Sequence, residues 1–339
     1  MTIAPLAPFA RTYVWGVAHV EAPEIVTSAW IDEQLSQTYE RCGIRPGLLE
    51  AVAGIVERRW WGTDVTFDEV AAIAGQRALD AAGVAASEVD LLISTSVCKH
   101  HLEPSVACAV HHRLGLAPSC TNFDVGNACL GFVNAMNIAA MAVESGQARV
   151  VLIVDGEGSR HTQEVTIERL AQPTATLSDV FEQFASLTLG SGAAAMVLGG
   201  ERGGGHRMLG GITRAATEYH ELCVGDLETM KTDTAGLLIG GLSLAKDTLE
   251  VALAQGWQWT TMDRYVMHQV SAVHNQKLCE LLGIDQSKVP LTYPRFGNIG
   301  PAAVPYTLSV IADELKAGDR VLLMGIGSGL NCSVTELAW

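Results

Sequence analysis

Residues 126–159, GNACLGFVNAMNIAAMAVESGQARVVLIVDGEGS, lie without a gap over 297–329, GNIGPAAVPYTLSVIADELKAGDRVLLMGIGSG, at a constant offset of 171 residues. Gly and Asn coincide at the start, a helical pattern follows in each, and VVLIV falls on VLLMG. Upstream, DLLISTSV at 90–97 matches DRYVMHQV at 263–270, each preceded by a helical pattern. Downstream, GSGAAAMVL matches the terminal GSGLNCSVTELAW. Punctuation and periodicity that coincide over such a length predict a duplicated α/β unit. Each half offers about five strands with helices between them, and the two halves face each other across a pseudo-twofold axis where equivalent loops meet.

The pattern along the chain sets the boundaries. TYVWGVAHV at 12–20 reads as a first strand, and DEVAAIAGQRALDAAG at 68–83 as a helix ending at Gly83. DLLISTSV and ARVVLIVDGEGS are near-continuous apolar runs, the mark of strands covered on both faces. Residues 159–188 read as an inserted, more polar helical lobe, and ERGGG at 201–205 as the connection to the second half. The expected division is therefore 1–202, a half carrying Cys129 and the lobe, and 203–339, a half carrying His268 and Asn298.

Composition limits the function. At 48% hydrophobic and 17% charged the chain is a well-packed globular protein. A formal charge of −15 argues against nucleic acid as an electrostatic partner, so an anionic ligand must be held by a local patch. The eight cysteines are scattered, with no CxxC pair, which indicates neither a disulfide framework nor a metal site. They read as reduced thiols of a cytoplasmic protein. MTIAPLAPFARTYVWGV lacks the charged start and long apolar core of a signal peptide, and no transmembrane run occurs.

Within the repeat, the loops at the carboxyl ends of the strands are where an α/β sheet presents ligands. They carry Cys129 in the first half, and His268 and Asn298 in the second. A thiol at the mouth of a buried helix is placed to act as a nucleophile, because unpaired N–H groups and the helix dipole favour thiolate. Taken alone, Cys129 also fits a small core residue and His268 a satisfied structural histidine. Asn127 and Asn298 occupy equivalent positions of the repeat.

GIVERRWW, DVGNACLGF, MHQVS, GNIGPAAVP and GIGSGLNCS together resemble the thiolase superfamily, in its ketoacyl synthase III branch, over essentially the whole chain. The resemblance implies a thiolase fold with αβαβα layers, a homodimer, and Cys129 as the acyl-accepting nucleophile. It also implies His268 and Asn298 as the pair that binds the thioester oxygen of the second substrate. LEPS, NACLGF, HQVS and GNIGPA are most similar to the OleA family, whose members join two fatty acyl-CoA molecules head to head in olefin biosynthesis. In that family a glutamate equivalent to Glu103 is contributed by the neighbouring subunit and acts as base.

The chemistry so implied is a Claisen condensation of two long-chain acyl-CoA molecules to a 2-alkyl-3-ketoacyl product, leading to olefin or related hydrocarbon or β-lactone through downstream pathway enzymes. A carboxylate base for a thioester α-proton needs its pKa raised by desolvation, and Glu103 between Leu102 and Pro104 is the candidate. Backbone N–H groups at Cys129 and at Gly327, Ser328 and Gly329 are expected to hold the other oxyanion. Lys99, His100 and His101, and Arg58, Arg59 and Trp60, are candidates for the CoA phosphates and adenine, with solvated surface charge the plainer reading. Coenzyme A enters as a substrate thioester; no bound cofactor or metal is needed. The alternatives are a decarboxylating 3-oxoacyl-ACP synthase III using malonyl-ACP, and an acyl-thioester hydrolase or acyltransferase of the same fold.

Overall fold

The computed structural model describes residues 9–339. Residues 1–8, which open the N-terminal stretch discussed above, lie outside the described residues. Nine strands form one sheet in the order Arg264–Met267, Arg320–Gly327, Asn331–Ala338, His206–Ala215, Tyr13–Glu21, Gly192–Gly199, Val150–Glu157, Leu91–Ser94, Thr121–Asp124. Strands Tyr13–Glu21 and His206–Ala215 meet only through Tyr13–Arg207 and Val14–His206, so the sheet consists of two arms joined at one corner. Outward from that corner the arms repeat the same order. In each, the strand that follows a central helix pairs antiparallel with the last strand of its half and parallel with an earlier one.

The repeat accounts for the layers. Helices Gly131–Glu144 and Ala303–Ile311 are the equivalent helices, and both lie between the arms. Phe132, Val133, Met136, Val304 and Leu308 share one core with Ile93, Val151 and Met196 of the first arm and Val266, Val321 and Leu323 of the second. An apolar surface nearly all round each helix is what a middle layer demands. On the outer face of the first arm, Ala71, Ala78 and Leu79 of helix Phe67–Ala82 cover Leu92, Leu152 and Val197. On that of the second, Leu244 of helix Thr234–Ala254 and Cys279 of Ala272–Leu282 cover Met267, Leu322 and Val334. The result is the αβαβα stack.

Two expectations change. The first half supplies five strands to the nine-stranded sheet, but the second supplies four. The repeat places the counterpart of Thr121–Asp124 at 292–295, where Pro294 has no N–H for a ladder. The chain makes a short helix, Tyr293–Phe296, there instead. The helical pattern ahead of strand Arg264–Met267, LAKDTLEVALAQ from Leu244, lies within a longer helix, Thr234–Ala254, which starts ten residues earlier because Asp233 caps it through the Gly236 N–H at 2.9 Å. Residues 159–188 are helical as expected, in three pieces from Arg160 to Thr188, and pack with Ile31, Leu35, Leu49 and Trp60 around a separate apolar cluster.

Candidate active site

Cys129 stands in the turn between strand Thr121–Asp124 and helix Gly131–Glu144. The turn is tight. Ala128 adopts φ 45°, a left-handed conformation that an alanine takes only when its surroundings impose it. Leu130 N–H donates to Asn127 O at 3.0 Å and Gly131 N–H to Ala128 O at 3.1 Å. The turn is also buttressed from the second half: a Cβ on Gly327 would lie 2.8 Å from Asn127 O and 3.1 Å from Leu130 N. Only glycine allows the end of strand Arg320–Gly327 to approach so closely. Gly327 thus lies against the backbone on either side of Cys129.

His268 ends strand Arg264–Met267, and its N–H donates to Met324 O of the adjacent strand at 2.8 Å. Its ring is buried, Nδ1 has no partner, and no hydrogen bond reaches either ring nitrogen among the described residues. It is therefore not a satisfied structural histidine. Burial, with His274 adding to it, lowers its pKa to about 4, so the imidazole is neutral at pH 7 with its N–H unspent.

Asn298 follows the short helix Tyr293–Phe296. Its backbone is pinned on both sides, by Asn298 N–H to Thr188 O and by Gly190 N–H to Asn298 O, each 2.9 Å. Its Oδ1 accepts from Gly300 N–H at 3.0 Å, which leaves Nδ2 free to donate. The equivalent Asn127 spends its whole amide internally, Nδ2 on Asn134 Oδ1 at 2.7 Å and Oδ1 on Asn331 Nδ2 at 3.2 Å. One asparagine of the repeat holds the fold while the other keeps a free donor. Gln269 ties His268 to the Asn298 segment: Nε2 donates to Met267 O and Pro290 O, at 3.0 and 3.2 Å, and Oε1 accepts from Thr292 and Tyr293 N–H, at 3.0 and 3.3 Å.

The helix terminus does not make Cys129 a thiolate at rest. Burial pushes the thiol up to about 12, and the negative charge of Glu157 adds to it. Desolvation outweighs the dipole here, so the resting group is a thiol. Sequence reasoning passed over Glu157 and its neighbour Asp155, although two acids two residues apart on an otherwise apolar strand are a visible signal. Both are buried. Burial raises Glu157 to about 7 and holds Asp155 well above the carboxylate range.

Two family models match: the N-terminal domain of thiolase over residues 57–199, and the C-terminal part of 3-oxoacyl-[acyl-carrier-protein] synthase III over 253–339. An acyl-CoA:acyl-CoA alkyltransferase of Xanthomonas campestris pv. campestris is 44% identical over 98% of this chain and 99% of its own length. The chain belongs to the OleA family. A second acyl-CoA:acyl-CoA alkyltransferase, from Shewanella oneidensis, is 33% identical over 98% of this chain and 99% of its own. A cysteine-to-serine variant of Xanthomonas campestris OleA, solved with lauric acid and lauroyl-CoA, superposes with a TM-score of 0.95 at 43% identity, covering 98% of this chain and all of its own. OleA of the same organism with bound cerulenin gives 0.96 at 44% identity over 98% of each chain.

In this OleA family member the remaining candidates other than Glu103 have partners of their own. Arg58 is fully buried and donates to Val26 O, Ser28 Oγ and Leu187 O. Arg59 pairs with Glu21 at 2.9 Å and Glu57 at 2.8 Å, and Trp60 donates to Gln163 Oε1 at 2.6 Å. All three are buried and turn most of their polar atoms to protein partners, though Arg58 Nε has none. Lys99 pairs with Asp124 at 2.7 Å. Glu103 lies on the exposed loop before helix Val106–Leu114, beside Leu102 at 98% exposure, and makes no hydrogen bond among the described residues. The desolvation expected of a base is therefore not supplied by its own chain.

Proposed function

We propose that the protein catalyses a non-decarboxylating Claisen condensation of two long-chain acyl-CoA molecules. The observation that carries this reading is the pairing of two unspent neutral donors, the His268 ring and Asn298 Nδ2, with a nucleophile in a strained turn, in a chain 44% identical to an acyl-CoA:acyl-CoA alkyltransferase. The solved OleA relatives include variants at one cysteine, one histidine and one glutamate, the residue types of Cys129, His268 and Glu103.

In the first step Cys129 attacks the acyl-CoA carbonyl and loses its proton as coenzyme A leaves as the free thiol. N–H groups of Cys129 and the Gly327–Gly329 turn hold the oxyanion. In the second, the partner subunit's Glu103 removes an α-proton of a second acyl-CoA. The enolate oxygen takes hydrogen bonds from His268 and Asn298, and the α-carbon attacks the Cys129 thioester. The thiolate leaves, and the product is a 2-alkyl-3-ketoacyl-CoA. Neutral donors suit this step, since they stabilise a developing charge without adding one to the thioester ground state.

Homodimer formation is part of this proposal. Strand Thr121–Asp124, which leads to Cys129, is a sheet edge bonded on one side only, and an edge of this kind is open to pairing with a second copy. Val97 and Leu102, both exposed, flank the loop to Glu103. Burial in the partner's site would supply the desolvation that Glu103 lacks. The division at 202/203 is proposed on the same grounds, since the strand order restarts there. No helix of the described chain is long and apolar enough to cross a membrane.

Glu103→Gln tests the reading. Cys129 should still become acylated by acyl-CoA, while carbon–carbon bond formation is lost. Full condensation of acyl-CoA by the variant would remove Glu103 as base.

A further inference from the structure

Asp155 and Glu157 lie two residues apart on strand Val150–Glu157, so both side chains leave the same face. Asp155 Oδ2 accepts from Thr95 Oγ1, and its Oδ1 is buried without a donor. Glu157 Oε1 accepts from Val97 N–H at 2.6 Å, on the loop that runs to Glu103. On its other side the carboxyl meets the Asn298 turn: a Cβ on Gly300 would lie 3.4 Å from Glu157 Cδ and 3.5 Å from Oε2. Gly300 is the residue whose N–H orients Asn298. The offset of the repeat makes Gly300 the counterpart of Cys129, and Ser328 the counterpart of Glu157. Glu157 therefore stands to the Asn298 turn as the Gly327–Gly329 turn stands to the cysteine, at the floor of the site where the halves meet.

We propose that Glu157, supported by Asp155, is a positioning residue of the condensing site: its carboxylate braces the Glu103 loop against the Asn298 turn, and its charge sets how readily Cys129 releases its proton. The carboxyl pair reaches the Cys129 turn through Thr95, which donates to Asp155 and whose O and Cβ would lie 3.3 and 3.4 Å from a Cβ on Gly131, the first residue of the helix that follows the cysteine. The groups whose charges act on Cys129 are Glu157 and Asp155 from strand Val150–Glu157 and Cys223 from the hairpin Cys223–Thr232. Those that act on Glu157 are Asp155 and Cys98, whose thiol lies 3.3 Å from Gly158 O. Two buried carboxyls this close do not both ionise readily, so Asp155 keeps its proton while Glu157 titrates toward neutrality. Below that transition the floor of the site is neutral and the thiol is more acidic. Above it, the new negative charge opposes thiolate formation. The proposal rests on Cys129 as the nucleophile but not on which product is made.

The test is the rate of Cys129 alkylation by iodoacetamide between pH 6 and 9, without acyl-CoA, read by mass spectrometry of the Cys129 peptide. In the wild-type protein the logarithm of the rate should rise with pH, flatten near neutrality as Glu157 ionises, and then rise again. Glu157→Gln keeps the acceptor for Val97 and the contact with Gly300 but removes the charge. Its profile should be a straight line of unit slope, with alkylation at pH 8 about tenfold faster, the effect of one unit in thiol pKa. A wild-type profile without the flattening, or a folded Glu157→Gln whose profile matches the wild type, overturns the proposal. If that variant does not fold, the wild-type profile decides alone. Because alkylation needs no acyl transfer, failure of the condensation reading leaves the expected profile unchanged, and the two failures are distinguishable.

Discussion

Asn298→Asp separates the two jobs of that side chain. Oδ1 holds the turn by accepting from Gly300 N–H at 3.0 Å, and Nδ2 is the free donor. Aspartate keeps the first and replaces the second with an oxygen that repels an enolate. One well-aimed oxyanion donor is worth about 2.7–4 kcal/mol, or roughly 10²–10³ in turnover, so condensation should fall by at least about a hundredfold. Acylation of Cys129 uses other donors and should change by less than about fivefold on this account. The assay is stopped-flow release of coenzyme A, whose first turnover reports acylation, followed by chromatography of condensed product. The thermal midpoint should move little, because the turn bond survives. Condensation within tenfold of wild type would refute the role of Nδ2. An equal loss in acylation would show that the variant had disturbed the turn instead.

Gln269→Ala leaves two buried N–H groups and two carbonyls without their partner, and at about 1 kcal/mol for each lost bond it should cost about 4 kcal/mol in urea unfolding, with loss of condensation. Gly327→Ala puts a Cβ 2.8 Å from Asn127 O, so it should slow Cys129 acylation strongly while costing about 1–3 kcal/mol of stability. His268 is neutral in the fold down to about 4 but takes up a proton near 6.5 when unfolded. The unfolded state therefore binds the extra proton between these values, and up to about 3 kcal/mol of stability, present above pH 6.5, is lost as pH falls to 4. His268→Gln should shed less stability than wild type over that window in urea titrations. Mixing Cys129→Ala and Glu103→Ala subunits should restore one working site per heterodimer; subunit exchange without recovered turnover would contradict a shared site.

The repeat made the architecture legible. A fixed offset located the two central helices, the strands that follow them, and the pairs Asn127/Asn298 and Cys129/Gly300. It misled at 292–295, where local proline chemistry outweighs symmetry. Cys129 and His268 were legible as residue types at the carboxyl ends of strands; Asn298 was legible only through the repeat, since a short helix and not a strand precedes it, and the structure explains why His268 and Asn298 have donors to spare. What a linear pattern does not carry is burial. Arg58 and Arg59 look like surface cations beside tryptophans, yet both are buried. Cys129 looks activated by a helix terminus, yet desolvation and a buried carboxylate keep it a thiol. Glu157 was hidden because two acids at the end of an apolar strand read as punctuation until Val97 and Gly300 are seen around them.

The central claim is head-to-head joining of two acyl chains through Cys129. It is tested most directly by mass spectrometry of the purified protein incubated with myristoyl-CoA as the sole acyl donor. The expected result is a myristoyl adduct on Cys129 together with a 2-alkyl-3-keto product, or the ketone left when the corresponding acid loses carbon dioxide. An adduct that yields only myristic acid, with condensation appearing once a malonyl thioester is supplied, would contradict it.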